Sequence, residues 1–249
     1  MRRQLPLVLG VLGGAALAVT GFRALAALPG AGHVPHPYGE RAVADAFHHD
    51  TANAVVAVTL DQRGFDTLGE ELILLAAAIG TVLLLRRLTA EAEEDAPHEY
   101  GPGEIFEGVR LVGYVLLPVT LLVGGYVVLH GHLSPGGGFQ GGTVLASALY
   151  LAYLAADHRT LERLRTAGLL DTAEGLGAFG YVAIGLAGLV AGSGFLADWL
   201  PTGTVRDLRS SGTLPLLNVS IAVEVGAAFV LVVAKFLEQA ILVPREEAS

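Results

Sequence analysis

The 249-residue chain has no cysteine. Disulfides, thiolate metal sites, iron–sulfur ligation and cysteine nucleophiles are therefore excluded. Charge is scarce: Asp, Glu, Lys and Arg make up 16% of the residues, where an ordinary soluble domain carries about 25%. The little charge there is leans acidic, to a net −9. The clustered Lys and Arg that hold nucleic-acid phosphates are missing, so nucleic acid is not expected as a partner. No HExxH, GxSxG, Walker or dinucleotide-binding glycine pattern occurs. His130-Gly131-His132 hints at a metal, but no further ligand spacing supports one, and the histidines read as loop or interfacial residues. No catalytic residue, metal or cofactor is expected. Runs of alternating polarity are absent too, which argues against a β-barrel.

What fills the chain is apolar. The AVILMFWYC set reaches 53%, and mean hydropathy is +0.58. A membrane-crossing helix needs about 20 mainly apolar residues. Six segments qualify as candidates: 5–28, 72–85, 109–129, 139–156, 175–196 and 214–236. The expected fold is therefore an all-α polytopic membrane protein with about six transmembrane helices. Met1-Arg2-Arg3 before the first run also has the form of a signal peptide. Yet Leu5 to Phe22 is 18 residues without a charge, longer than the roughly 7 to 15 of a signal peptide's apolar region. With both termini inside, 10 of the 15 Lys and Arg residues fall on the inner side and 5 on the outer. This favours an N-in, C-in orientation. Residues 1–90 hold two spans and a long outer loop. An acidic linker, 91–103, follows on the inner side, and 104–249 hold four spans.

Ionisable groups at membrane depth are costly and suggest function. The apolar run Leu72 to Leu85 has only 14 residues, about 21 Å of helix against a core of roughly 30 Å. Either the bilayer thins or the helix reaches back into Asp61-Gln62-Arg63-Gly64-Phe65-Asp66-Thr67-Leu68-Gly69-Glu70-Glu71. In the second case Arg63, Asp66 and Glu70 share one helix face, and Asp66 and Glu70 become candidates for a cation or proton entrance, with Asp61 beside them. A capped helix start, with Asp66 or Thr67 as N-cap, is the plainer alternative. Glu224 falls at the centre of the sixth span, with Asn218 and Ser220 in the same half. Lys235 lies eleven residues on, roughly 16 Å away, within reach only of a relay. Glu107, Arg110, Glu174, Lys235 and Glu238 read as charges where helices meet headgroups.

Two backbone features complete the pattern. Pro118 interrupts the third span and removes a hydrogen bond to Tyr114. Pro135, Gly136, Gly137, Gly138, Phe139, Gln140, Gly141 and Gly142 join the third and fourth spans. Six of these eight residues are Pro or Gly, which points to tight packing against other helices. Gly185, Gly188 and Gly192 form a small-residue face that predicts contact with a neighbouring helix.

Residues 131–142, GHLSPGGGFQGG, resemble the signature of the B subunit of Mrp-type multisubunit Na⁺/H⁺ antiporters, the MnhB/MrpB family. That resemblance covers about 104–243. Asn53 to Val58 and Asp61 to Glu70 are similar to the C-terminal end of the antiporter's large A chain, an element also found in related membrane-bound hydrogenases. The resemblance implies an accessory subunit of a cation/H⁺ antiporter in a prokaryotic cytoplasmic membrane. Its partners would be the large antiporter-like chains, small membrane subunits, Na⁺, H⁺ and lipid. It also places Asp66 and Glu70 near a cation route. A purely structural scaffold and the equivalent subunit of a hydrogenase-type or complex I-related redox complex are the alternatives.

Overall fold

A computed structural model describes residues 5–27, 37–85, 107–156 and 168–240. The acidic linker 91–103, and with it Arg2, Arg3, Arg86, Arg87, Arg159, Arg163, Arg165, Arg245, His33 and His36, lie outside the described residues, as does the side chain of Glu238. Two compact units divide the chain, residues 1–40 and 41–249. The first contains α1, Leu5–Ala26, apolar nearly throughout. Helix α2, Pro37–His48, begins in the first unit and continues in the second.

In the second unit, Asn53 starts the next helical stretch. Its side chain accepts hydrogen bonds from the backbone of Val55 and Val56 and so caps a single turn, α3, Ala54–Val56. A π-helical segment, Ala57–Gln62, follows. Helix α4 then runs Gly64–Leu84. At 21 residues it is about 31 Å long. The short apolar run is thus completed by the charged stretch before it, and Thr67 lies inside the helix rather than capping it. Its hydroxyl donates to the Thr59 carbonyl at 2.6 Å.

Helix α5, Glu107–Leu129, continues through Pro118. Helix α6 is Gly138–Ala156, α7 is Leu169–Val190 and α8 is Leu214–Ala240. The fifth expected span, 175–196, is misplaced by about six residues. The helix starts earlier, taking in Asp171 and Glu174, and ends at Val190, just before Gly192, whose φ of 81° reverses the chain. Phe195 and Leu196 look like helix in sequence but fold back onto α7, where the Leu196 N–H donates to the Gly185 carbonyl at 3.2 Å. Gly185 and Gly188 make room for this return. A Cβ on Gly185 would stand 2.7 Å from the Phe195 ring, and Gly188 lies against the backbone at Gly194 and Ala197. Gly192 has open space around it. The small face at 185–192 therefore accommodates the chain's own loop, not a neighbouring helix.

Helix α8 is the centre of the second unit. It packs against α4, α6 and α7, and more lightly against α5, which lies mainly on α6. Of the most apolar stretch of α8, 56% of the residues are buried, against 17% in α4 and in α5. Two apolar clusters share it. One gathers Val56, Leu60, Tyr181 and Leu196 around Leu217 and Ile221, and the other gathers Ala146 and Leu170 around Val230 and Leu231. Among the described residues every regular element is helical. Four helices (α4, α5, α7 and α8) are long and apolar enough to cross a membrane. The described apolar part of α1, Val11–Ala26, is shorter, and α6 has 19 residues.

Candidate functional site

Three carboxyl groups are buried where α4, α7 and α8 meet. Glu71 is 1% exposed, Glu224 is 0% and Glu174 is 5%. Each sits on the inward stripe of its helix. On α4 the buried positions are Gly64, Thr67, Glu71 and Ala78, and on α7 they include Glu174, Gly177, Tyr181 and Gly185. These spacings of three, four and seven are those of one helix face.

Glycine brings α7 directly onto α8 at the carboxyl group. A Cβ on Gly177 would come within 2.5 Å of the Glu224 backbone nitrogen, and one on Gly180 within 2.8 Å of the Ser220 hydroxyl. Small residues at such contacts let backbones approach closely. From the other side, the Glu71 side chain comes up against that of Glu224. No oxygen of either carboxyl has a protein hydrogen-bond partner. Two carboxylates can only accept, so a hydrogen bond across the pair requires a proton on one of them. Tyr181 anchors the same region, donating its hydroxyl to the Gly64 carbonyl at 2.9 Å.

The glycine loop between α5 and α6 packs on α8 one to two turns away. The Gly138 N–H donates to Oδ1 of the buried Asn218 at 2.8 Å, and a Cβ on Gly138 would stand 2.5 Å from Cβ of Ile221. Gly142 likewise lies against Ala222 and Val225, and Gly141 against Val128. Gly136 and Gly137 adopt φ of 147° and 135°, conformations that L side chains rarely reach. Phe139 packs against the Val56–Ile221 cluster, and Pro135 is exposed. Asn53 ties the segment before α4 to this loop, with Nδ2 donating to the carbonyls of Gly131 at 2.7 Å and Ser134 at 2.8 Å. His132 is fully buried here, and burial holds its pKa below the ordinary value, against the opposing pull of the Leu208 and Asp207 backbone. His130, by contrast, is half-buried and stacks on Tyr126.

A polar layer covers the start of α4. His49 is hydrogen-bonded to Asp61, with Asp45 and Asp198 in electrostatic range. Burial disfavours the charged ring, but the bond and charge of Asp61 outweigh it, so the His49 pKa is raised. Burial also raises the pKa of Asp61, against the pull of His49. Thr202 donates to Asp50 at 2.7 Å, and the Thr213 N–H donates to Asp198 at 2.6 Å. The loop before α8 is thereby fastened to the segment before α4.

The acids singled out from sequence separate into two groups. Glu224 is at the buried centre. Asp61 is half-buried and bonded to His49. Arg63 and Asp66 form an ion pair at 2.5 Å on an exposed face, Glu70 is exposed beside them, and Lys235 is half-buried on α8. Glu107 and Arg110 are exposed, whereas Glu174, expected at a helix–headgroup boundary, is buried instead. Sequence reasoning missed Glu71, Glu174 and the His49–Asp61 bond. Stripes of small residues at helical spacing, Gly64-Thr67-Glu71-Ala78 and Glu174-Gly177-Tyr181-Gly185, are the signal that could have marked both acids as inward.

Comparison with known proteins accounts for both halves of this arrangement. Residues 108–231 match the domain related to the MnhB subunit of the Na⁺/H⁺ antiporter, and residues 1–99 match the E subunit of MBH. A chain from the archaeal membrane-bound sulfane sulfur reductase, a respiratory membrane complex, is 30% identical, with 94% of this chain and 98% of that one aligned at a TM-score of 0.68. The chain thus carries an MnhB-related domain behind a segment related to the E subunit of MBH. An uncharacterized protein of Methanocaldococcus jannaschii is 29% identical to it over 72% of this chain and 74% of its own length. The probable K⁺/H⁺ antiporter A/B subunit of Rhizobium meliloti is 32% identical over 52% of this chain, which spans only 16% of that much longer protein. This MnhB-related chain is a multi-pass membrane protein. Glu71 lies within the MBH-like part and Glu224 within the MnhB-related domain, so the carboxyl pair joins the two.

Proposed function

We propose that this MnhB-related chain is an accessory membrane subunit of a multisubunit cation/H⁺ antiporter, and that it contributes part of the ion path as well as contacts for assembly. It works as a transporter subunit rather than as an enzyme. The carrying observation is the Glu71–Glu224 pair, buried between α4 and α8 with no protein hydrogen-bond partner for its oxygens. Ionisable groups inside a membrane protein are expensive to keep, and they mark ion and proton routes. A chain that only positioned its neighbours could fill this place with leucine at lower cost. The N-in, C-in orientation rests on the distribution of Lys and Arg, and it puts the His49–Asp61 layer on the outer side.

The comparisons support the antiporter reading through the MnhB-related domain, and a respiratory complex through the sulfane sulfur reductase chain. In both settings the chain sits among other membrane subunits, and its wide exposed apolar faces on α5 suit that. Vesicles containing the whole complex provide the test. Na⁺- or K⁺-dependent ΔpH is recorded for the wild type, Glu224→Gln, Asp66→Asn and Glu70→Ala, with assembly checked for each. The proposal expects assembled Glu224→Gln to lose exchange. Full exchange in that variant would leave the chain a scaffold.

A further inference from the structure

The buried pair has neighbours on both sides. Close contacts of α7 with α8 run Gly180 to Ser220 and Gly177 to Glu224, an antiparallel order. Continuing it by one turn puts Glu174 beside α8 just past Glu224. Glu174 is in electrostatic range of both Glu224 and Asp171. At the other side Glu71, in contact with Glu224, is in electrostatic range of Glu70. Asp171 and Glu70 are exposed, on α7 and α4, while the three acids between them are buried. Five carboxyl groups thus cross the bundle as a row, exposed at its ends and buried in its middle. Tyr181 and Thr67 border it at Glu71, and Ser220 lies one turn from Glu224.

Both oxygens of Glu71 and of Glu224, and Oε1 of Glu174, are buried without a protein hydrogen-bond partner. Ion pairing does not compensate them, since the charges acting on them are those of other acids. A carboxyl group that holds a proton avoids the cost of a bare charge, and an acid next to a carboxylate is a donor facing an acceptor. A dehydrated metal cation needs several oxygens converging on one point. Among the described residues no group of three or more His, Asp or Glu side chains is placed to hold a metal ion.

Resting on the reading that this chain carries part of an ion path, we propose that Asp171, Glu174, Glu224, Glu71 and Glu70 form a lateral proton path across the chain. Its two exposed ends hand the proton to and from neighbouring subunits. In each step the O–H bond of one carboxylic acid breaks and its proton bonds to an oxygen of the next carboxylate, directly or through water. The donor becomes the carboxylate and the acceptor the acid. One proton enters at one flank for each that leaves at the other, so charge is conserved.

The test uses the whole complex in vesicles and dicyclohexylcarbodiimide, which reacts with protonated carboxyl groups in apolar surroundings. Labelled residues are read by mass spectrometry of the chain, and ΔpH exchange is recorded for Glu174→Gln, Glu174→Asp and Glu224→Gln. The expected result is label on the buried acids that neither Na⁺ nor K⁺ prevents. Exchange in assembled Glu174→Gln should be slowed by about tenfold or more, with partial recovery in Glu174→Asp. Protection from label by Na⁺ or K⁺ would overturn the proton assignment. Normal exchange in Glu174→Gln alongside lost exchange in Glu224→Gln would overturn the row and leave the ion-path reading standing. Normal exchange in both would remove both.

Discussion

Helix α4 carries acids on two faces, and they live in different surroundings. Arg63, Asp66 and Glu70 lie on one side, exposed, with Arg63 and Asp66 paired. Thr67 and Glu71 lie on the other, buried against α7 and α8. A shift of one residue, from Glu70 to Glu71, turns a side chain by about 100° around the helix. That rotation separates a charge that water or a partner subunit can reach from one that must find its compensation inside the chain. The exposed face satisfies its charges locally through an i, i+3 pair. The buried face has only another carboxyl group, and this imbalance is what points to a mobile proton.

The contrast can be broken most severely at the glycine beneath it. Gly177→Leu would drive a side chain into the Glu224 backbone, where no flexible group can yield. Overpacking of this kind costs about 1–3 kcal/mol or more, and loss of the assembled complex on native gels is the expected outcome. Gly175→Leu, on the same helix but facing open space, should assemble normally. The next largest effect compares the two acids themselves. Glu71→Ala leaves Glu224 buried without its contact, and thermal unfolding of the complex should register a loss of about 1–3 kcal/mol. Glu70→Ala should stay within about 0.5 kcal/mol. Replacing both buried acids, Glu71→Leu with Glu224→Leu, should cost less stability than Glu71→Ala alone, because no orphaned polar group remains. Removing the exposed pair with Arg63→Ala should cost below about 1 kcal/mol, since solvent screens it.

A smaller, pH-dependent effect belongs to the layer above α4. The folded pKa of His49 is raised above its ordinary 6.5. Below 6.5 the ring is charged whether the segment is folded or not, and the bond to Asp61 contributes in full. As pH rises through the raised value the ring loses its proton and that contribution fades. Hydrogen-exchange protection of residues 53–62 should therefore fall with pH above 6.5 in the wild type. In His49→Gln it should be lower at the start and flat across the same range.

Much of the fold can be read from sequence, because apolar runs and glycine clusters are local signals. The helices at 109–129, 139–156 and 214–236 lie close to where their runs predict. The fifth helix is displaced because Asp171 and Glu174 look like boundary charges, while Gly192-Ser193-Gly194-Phe195-Leu196 looks apolar enough to continue. Glu174 instead lies on the buried face of the helix, and the chain turns at Gly192, where φ is positive. Glu224 is legible because its position along the span places it at mid-membrane whatever surrounds it. Glu71 is not, since Glu70 and Glu71 are equally deep. Only the packing of α4 on α8 decides which of the two turns inward. The His49–Asp61 bond joins residues twelve apart across a π-helical segment, and no regular spacing announces it.

The most direct test of the central claim, that Glu71 and Glu224 act as one unit on the ion path, is a double-mutant cycle on exchange. Cation-dependent ΔpH would be measured in vesicles holding the assembled complex with Glu71→Gln, with Glu224→Gln and with both. If the pair is one unit, each single variant abolishes exchange and the double variant loses no more than either. Full exchange in the assembled double variant would contradict the account.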